Sequence, residues 1–123
     1  MNNSNEWRKQ FENRLLEFAV RIIKLANQLP KTPAGFAIAS QLIRAASSIG
    51  ANYVESQDAS STRHFIEKLS IALREARETY YWLSVILRSN LLFSKFIAPE
   101  LTECNEIIAI LSKSVKSSKL KLK

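Results

Sequence analysis

Two glutamates, Glu75 and Glu78, lie three residues apart in a helical stretch of this 123-residue chain. At that spacing both carboxylates share one helix face, where such a pair could serve acid–base chemistry or bind a metal. Di-iron bundles use Glu-x-x-His motifs, but the residue three after Glu75 is a second Glu. The only histidine, His64, lies eleven residues before Glu75, near the start of the helix. The sequence therefore predicts no metal site and no cofactor.

The remaining reactive side chains also favour structural roles. Cys104 lies on an apolar helical stripe with no histidine close in sequence, so we expect a buried core thiol. His64 is expected to be a surface residue in the first turn of its helix. The chain has no P-loop, no glycine-rich phosphate cradle and no Ser–His–Asp arrangement. We therefore predict a protein without catalytic residues, which is not an enzyme.

A polar stripe runs through the small apolar residues of RAASSIGANYVESQ, residues 44–57. Its four members follow steps of four, four and three, which places them on one helix face. Together with the two glutamates they form a predicted structural polar network: Arg44, Ser48, Asn52, Glu55, Glu75 and Glu78. Gly50 and its small neighbours are expected to allow close approach of the helix that carries the glutamates.

The partners of this stripe follow from an antiparallel hairpin that turns near residue 59. In that register Arg44 lies opposite Glu75 and Glu78. Glu55 faces Arg63 in the same register. We expect Arg44 to form an ion pair with one of the glutamates while it is shielded from water. Arg44→Ala would then cost about 3–5 kcal/mol, because it leaves buried carboxylates unpaired.

Apolar periodicity predicts four helices, over residues of about 4–29, 33–57, 61–90 and from Pro99 to about 116. Thr32 and Ser61 are the predicted N-caps of the second and third helices. Long helices joined by short turns favour antiparallel neighbours. The predicted fold class is therefore all-α, an antiparallel up-down-up-down four-helix bundle. The predicted domain organisation is a bundle over 1–116 and a basic C-terminal tail over 117–123.

The predicted helices carry more apolar surface than one bundle needs. Beside the main stripes, the first and third helices have second ones: Leu16, Ala19, Ile23 and Ala26, and Ile66, Leu73, Tyr80 and Leu87. An oligomer interface is the simplest use of this surplus, so a homo-oligomer is predicted. No stretch approaches 18 uninterrupted apolar residues and the N-terminus has no signal core, so we expect a cytoplasmic protein without a membrane partner.

Positive charge is concentrated at the C-terminus. Of the net charge of +7, the five lysines in residues 113–123 supply five units. Such a cluster attracts phosphate backbones, of RNA or of DNA, without sequence choice. The candidate nucleic-acid-binding residues are Arg8, Lys9, Arg14, Arg21, Lys113, Lys116, Lys119, Lys121 and Lys123. The alternatives are a solvated tail that keeps the protein in solution, and a scaffold that binds another protein with no nucleic-acid role.

The segments QLIRAASSIGANYVESQ, residues 41–57, and FIEKLSIALREARETYYWL, residues 65–83, resemble the bacterial proteins encoded in intervening sequences of 23S ribosomal RNA genes. The likeness covers most of residues 11–112. It implies a four-helix-bundle subunit that assembles into a homopentamer. Related accessory proteins of diversity-generating retroelements are similar pentamers that bind nucleic acid and a reverse transcriptase. The shared positions include the whole polar network, and the resemblance supplies no catalytic residue.

Overall fold

A computed structural model describes residues 2–122 of the chain. It contains four helices: α1 (Asn2–Ala26), α2 (Pro33–Gln57), α3 (Thr62–Arg88) and α4 (Ser94–Leu120). Each helix packs on the next in the chain, and α1 also packs on α4. The predicted all-α, antiparallel up-down-up-down four-helix bundle is confirmed. Among the described residues, no helix combines the length and hydropathy needed to cross a membrane.

The core consists of one apolar stripe from each helix. The main apolar stripe of α1 is buried from Phe11 to Leu25, and Leu29 is buried in the turn that follows. Trp7, at the start of the stripe, is 46% exposed and stacks on the Phe11 ring. The largest side chains with almost no exposure include Phe18, Leu42, Leu69 and Leu111, one from each helix. Burying each such side chain contributes about 1.5–3 kcal/mol, so this shared core fixes the four outer faces relative to one another.

The turn between α1 and α2 is tightly packed around Gly35. Thr32 is the N-cap of α2, as predicted, and its Oγ1 accepts a hydrogen bond from the Gly35 N–H over 3.2 Å. Gly35 lies against the Pro30 carbonyl, where an added Cβ would approach the oxygen to 1.8 Å. The absence of a side chain at this position therefore allows the chain to reverse direction in six residues, 27–32.

The fourth helix begins earlier than the sequence indicated. Pro99 was the predicted start, but α4 begins at Ser94 and Pro99 lies inside it. The buried Ile97 explains the difference, because it extends the apolar stripe by one turn on the N-terminal side of Leu101. That burial offsets the backbone hydrogen bond that proline cannot donate. At its other end, α4 continues through Leu120, past the predicted boundary between bundle and tail.

Candidate nucleic-acid interface

Arg44 crosses from α2 to the two glutamates of α3. Its Nη1 donates a hydrogen bond to Oε1 of Glu75 over 3.1 Å, and its Nη2 donates to Oε2 of Glu78. The same Glu78 oxygen accepts a hydrogen bond from Nε1 of Trp82 over 3.0 Å. The structure thus has the ion pair that the hairpin register predicted. It joins α2 and α3 at the surface and holds Trp82 in place.

The predicted shielding of Arg44 is wrong, because its side chain is 47% exposed. The stripe that carries it lies at the edge of the α2–α3 contact, where water solvates the guanidinium. An exposed ion pair stabilises a protein by about 0.2–1 kcal/mol, well below the value for a buried pair. The arginine therefore fixes the alignment of two helices more than it stabilises the fold.

Replacing Arg44 by alanine is accordingly expected to lower the free energy of unfolding by about 1 kcal/mol, not by 3–5 kcal/mol. Urea denaturation followed by circular dichroism measures this difference. Arg74→Ala is the matched control, since Arg74 is exposed and has no carboxylate partner within residues 2–122. Equal losses in the two variants would contradict a stabilising role for the Arg44 ion pairs.

The rest of the predicted network bonds mainly within α2. The Ser48 hydroxyl donates to the Arg44 carbonyl over 2.7 Å, and the Asn52 side-chain amide donates to the Ser48 carbonyl over 2.9 Å. Glu55 pairs with Lys68 over 2.9 Å and not with Arg63 as predicted. Hydrogen bonding to Glu55 raises the pKa of Lys68. The register holds at Arg44, and only the partner of Glu55, close to the hairpin turn, differs from the prediction.

The reactive side chains occupy structural positions. The Cys104 thiol is buried and donates a hydrogen bond to the Ala76 carbonyl over 3.3 Å. Burial raises the pKa of this thiol to about 12, which disfavours the nucleophilic thiolate. His64 lies in the first turn of α3, where its Nδ1 accepts a hydrogen bond from the Ser60 N–H over 3.4 Å. Within residues 2–122, no three His, Cys, Asp or Glu side chains group as metal ligands.

One end of the bundle brings together several candidate nucleic-acid-binding residues. The antiparallel topology places the start of α1, the α2–α3 turn and the end of α4 at this end. Arg8 and Lys121 line a common cleft of about 310 Å³ together with Ser60, Ser61 and Thr62. We call this end, with its exposed cations, the basic end: Arg8, Lys9, Lys113, Lys116, Lys119 and Lys121. Lys123, the other candidate, lies outside the described residues.

None of the basic-end cations forms an ion pair within the described part of the chain. The lysines at the end of α4 project from a packed helix and not from a loose tail. Val115 and Ser118, which lie between these lysines in the sequence, are buried. The lysines are therefore held near one another on a helix and remain available to an external anion.

Arg14 and Arg21, two further candidates, instead bind carboxylates of α4. Arg14 holds Glu103 through two hydrogen bonds of 2.7 Å, and a third of 2.7 Å reaches Glu106. Hydrogen bonding to Glu103 raises the pKa of Arg14, and the same bonds lower the pKa of Glu103. Arg21 bonds Glu100 over 3.0 Å. These bidentate pairs tie α1 to α4, the helix contact that closes the bundle.

An apolar groove lies between α1 and α2. Its volume is about 560 Å³, and Gly50 and Ala51 contribute to it from α2. Gly50 therefore faces α1, and the prediction that it faces the helix with the two glutamates is wrong. Leu16 lines the groove and is 58% exposed. The other exposed or half-exposed apolar lining residues are Ala19, Val20, Ile23 and Val54. The second stripe that the sequence showed on the first helix therefore remains largely uncovered in one chain, apart from the buried Ala26.

A row of cationic and aromatic residues on the outer face of α3 was not predicted from the sequence. Arg74, Arg77, Tyr81 and Arg88 are all exposed, and their spacing of three, four and seven places them on one helix face. We call this row the α3 stripe. The spacing of these four residues was the signal from which the sequence could have predicted the stripe. It is less conspicuous than the concentration of lysines in the last eleven residues.

The four antiparallel helices place the chain in the class of small all-α four-helix bundles. A family model described as 23S rRNA-intervening sequence protein matches residues 9–113, and the chain belongs to this family. The chain is also similar to a protein with unknown function from the S23 ribosomal protein family, from Bacteroides thetaiotaomicron VPI-5482, which has a crystal structure. The two sequences are 37% identical. The match covers 85% of this chain and 97% of that chain, with a TM-score of 0.80. The comparison with curated proteins found no match.

Proposed function

We propose that this chain is a non-enzymatic, self-associating bundle protein that binds nucleic acid through its basic end, in the cytoplasm. The observation that carries the proposal is the set of exposed cations at that end, with Arg8 and Lys121 in one cleft and no carboxylate paired to them within residues 2–122. Unpaired lysines gain binding energy by displacing the counterions of phosphates.

Self-association is the second part of the proposal, and the groove between α1 and α2 supports it. Leu16, Val20 and Ile23 expose apolar surface along α1. The groove edge carries the carboxylate of Glu12 and that of Glu55, which also pairs with Lys68. A second copy of this chain suits the groove, because the chain has a net charge of +7 and its basic residues can pair with the acidic groove edge. We propose a pentamer, the assembly that the family resemblance implies. Closed rings repeat each weak phosphate contact and so raise affinity by avidity.

The groove also favours a second candidate function, a scaffold that binds another protein. An exposed apolar groove suits the apolar face of a partner helix as well as it suits a second copy. Light scattering on the chain at micromolar concentration separates the two. A mass several times the 14.0 kDa of one chain supports self-association, whereas a stable monomer supports the scaffold.

Replacing Lys116, Lys119 and Lys121 by glutamine is expected to weaken binding of duplex DNA and structured RNA about tenfold or more near 0.1 M salt. The reduction should be the same for all base sequences, because lysine contacts to phosphate carry no base information. The dependence of log affinity on log salt should flatten by about 0.9 for each duplex phosphate that a lysine no longer neutralises. Substitution is preferable to truncation, because removing residues 113–123 would delete the buried Val115 and Ser118.

The matched control replaces Lys24, Lys31 and Lys95 by glutamine, which removes the same charge from the opposite end of the bundle. These lysines are exposed, so the fold should tolerate both variants equally. If the control weakens binding as much as the basic-end variant, net charge alone governs binding and the proposed site is wrong. If the unmodified protein binds neither nucleic acid at low salt, the nucleic-acid function itself is wrong.

A further inference from the structure

The α3 stripe lies on a different face from the lysines of the basic end. From Arg74 to Arg88 it follows the helix axis for about 21 Å, at about 1.5 Å per residue. Three guanidinium groups and one phenol ring occupy this length, and all four side chains are exposed. Arg77 and Tyr81 are one helical turn apart, so their side chains are surface neighbours.

The arginines of the stripe lack ion-pair partners in the part of the chain that the structure describes. The nearest acidic residues along the helix, Glu75 and Glu78, are both engaged by Arg44 from α2. No aspartate or glutamate occurs between Glu78 and Glu100. Within residues 2–122, Arg74, Arg77 and Arg88 form no ion pair. The stripe therefore presents uncompensated positive charge to any anion that reaches it.

Tyr81 presents an aromatic surface in the middle of this charge. Its side chain is 59% exposed, and its ring meets the Trp82 ring edge to face, with centroids 5.1 Å apart. Trp82 is itself anchored by its hydrogen bond to Glu78, so it supports the Tyr81 ring. Beside it lies a cleft of about 770 Å³, to which Tyr80 and Arg88 contribute together with Leu101 of α4.

We propose that the α3 stripe binds single-stranded nucleic acid, with a base stacked on Tyr81 and phosphates bound by Arg77 and Arg88. Unstacked bases are available only in single strands, and base–aromatic stacking tolerates every base. A duplex hides its bases from such a ring, so the stripe should prefer single strands. The lysines at the end of α4 have no aromatic residue among them, since none occurs in residues 113–123. This proposal holds whether or not the basic end binds a duplex.

The test measures binding of a fluorescent twelve-nucleotide oligo-dT, an oligo-U of equal length and a duplex, across a salt titration. Tyr81→Leu removes the ring and Tyr81→Phe keeps it. We expect Tyr81→Leu to weaken single-strand binding about 5- to 150-fold while the salt dependence is unchanged. Tyr81→Phe should bind like the unmodified protein. A variant with both Arg77→Gln and Arg88→Gln neutralises two fewer phosphates, so its single-strand salt slope should flatten by about 1.4.

The control with Lys24→Gln and Lys31→Gln removes two charges from another face and should leave single-strand binding nearly unchanged. The proposal is overturned if Tyr81→Leu binds single strands normally, or if it weakens duplex binding by the same factor. A polyglutamate peptide that binds with the same affinity, insensitive to Tyr81, would show that the face takes acidic protein. A change of oligomeric mass in the arginine variant would assign the face to a second copy. The lysine variants of the basic end report on duplex binding separately.

Discussion

Gly35→Ala should destabilise the protein by about 3 kcal/mol, in the upper range for an overpacked site. The added Cβ would lie 1.8 Å from the Pro30 carbonyl oxygen and 2.9 Å from its carbonyl carbon. These are backbone atoms, so no side-chain rotation relieves the contact. Either the turn shifts or the start of α2 moves, and the latter breaks the cap that Thr32 provides. Urea denaturation measures the decrease in stability.

The matched control is Gly50→Ala, the other glycine of the chain. Its added Cβ would lie 3.5 Å from the Leu15 Cβ of α1, an ordinary van der Waals separation. Because alanine is the better helix former, this variant should be more stable by about 0.5–1 kcal/mol. Changes of opposite sign would show that one glycine is required by packing and the other is not. Similar changes in both variants would contradict the assigned packing of Gly35.

Leu16→Glu is expected to convert the proposed oligomer into monomers at micromolar concentration. The glutamate would be solvated in a single chain, because Leu16 is already largely exposed there. In the assembly it would bury a charge in the apolar groove between α1 and α2, which costs several kcal/mol. Light scattering should give the mass of one chain, and the circular dichroism spectrum should remain helical.

The control for this variant is Phe93→Glu, which places the same charge on a 75% exposed apolar residue in the α3–α4 connection. That residue lies outside the groove, so the mass of the assembly should not change. If both variants dissociate the oligomer, the interface involves more than the groove. If Leu16→Glu keeps the oligomeric mass, a second copy does not occupy the groove.

The parts of the fold that depend on local pattern were predictable. The repeating apolar residues from Phe11 to Leu25 share one face of α1, so their burial follows from helix geometry alone. Thr32 and Ser61 cap their helices because their hydroxyls satisfy the first free N–H groups. The start of α4 was not predictable from Pro99, since the buried Ile97 outweighs the local signal.

The candidate site was less predictable because its properties depend on contacts between helices. Sequence pattern placed Arg44 opposite two glutamates, but burial depends on how far the helices tilt and separate, so its exposure was missed. Arg14 and Arg21 resemble polar surface residues in the sequence, and only their proximity to α4 shows that they are paired. Likewise, only the structure shows that Arg44 occupies the carboxylates next to Arg74 and Arg77, and that the arginines of the α3 stripe form no ion pair within residues 2–122.

The up-down-up-down topology has a practical consequence for handling the protein. Because α1 begins and α4 ends at the basic end, a tag fused to either end of the sequence lies beside its lysines. A polyhistidine or acidic tag there would compete with phosphate or repel it, and would alter the binding under test. The turn at residues 27–32 lies at the far end of the bundle, but it is packed around Gly35. A fluorophore is better carried at Ser94, which is exposed at the same far end and begins α4.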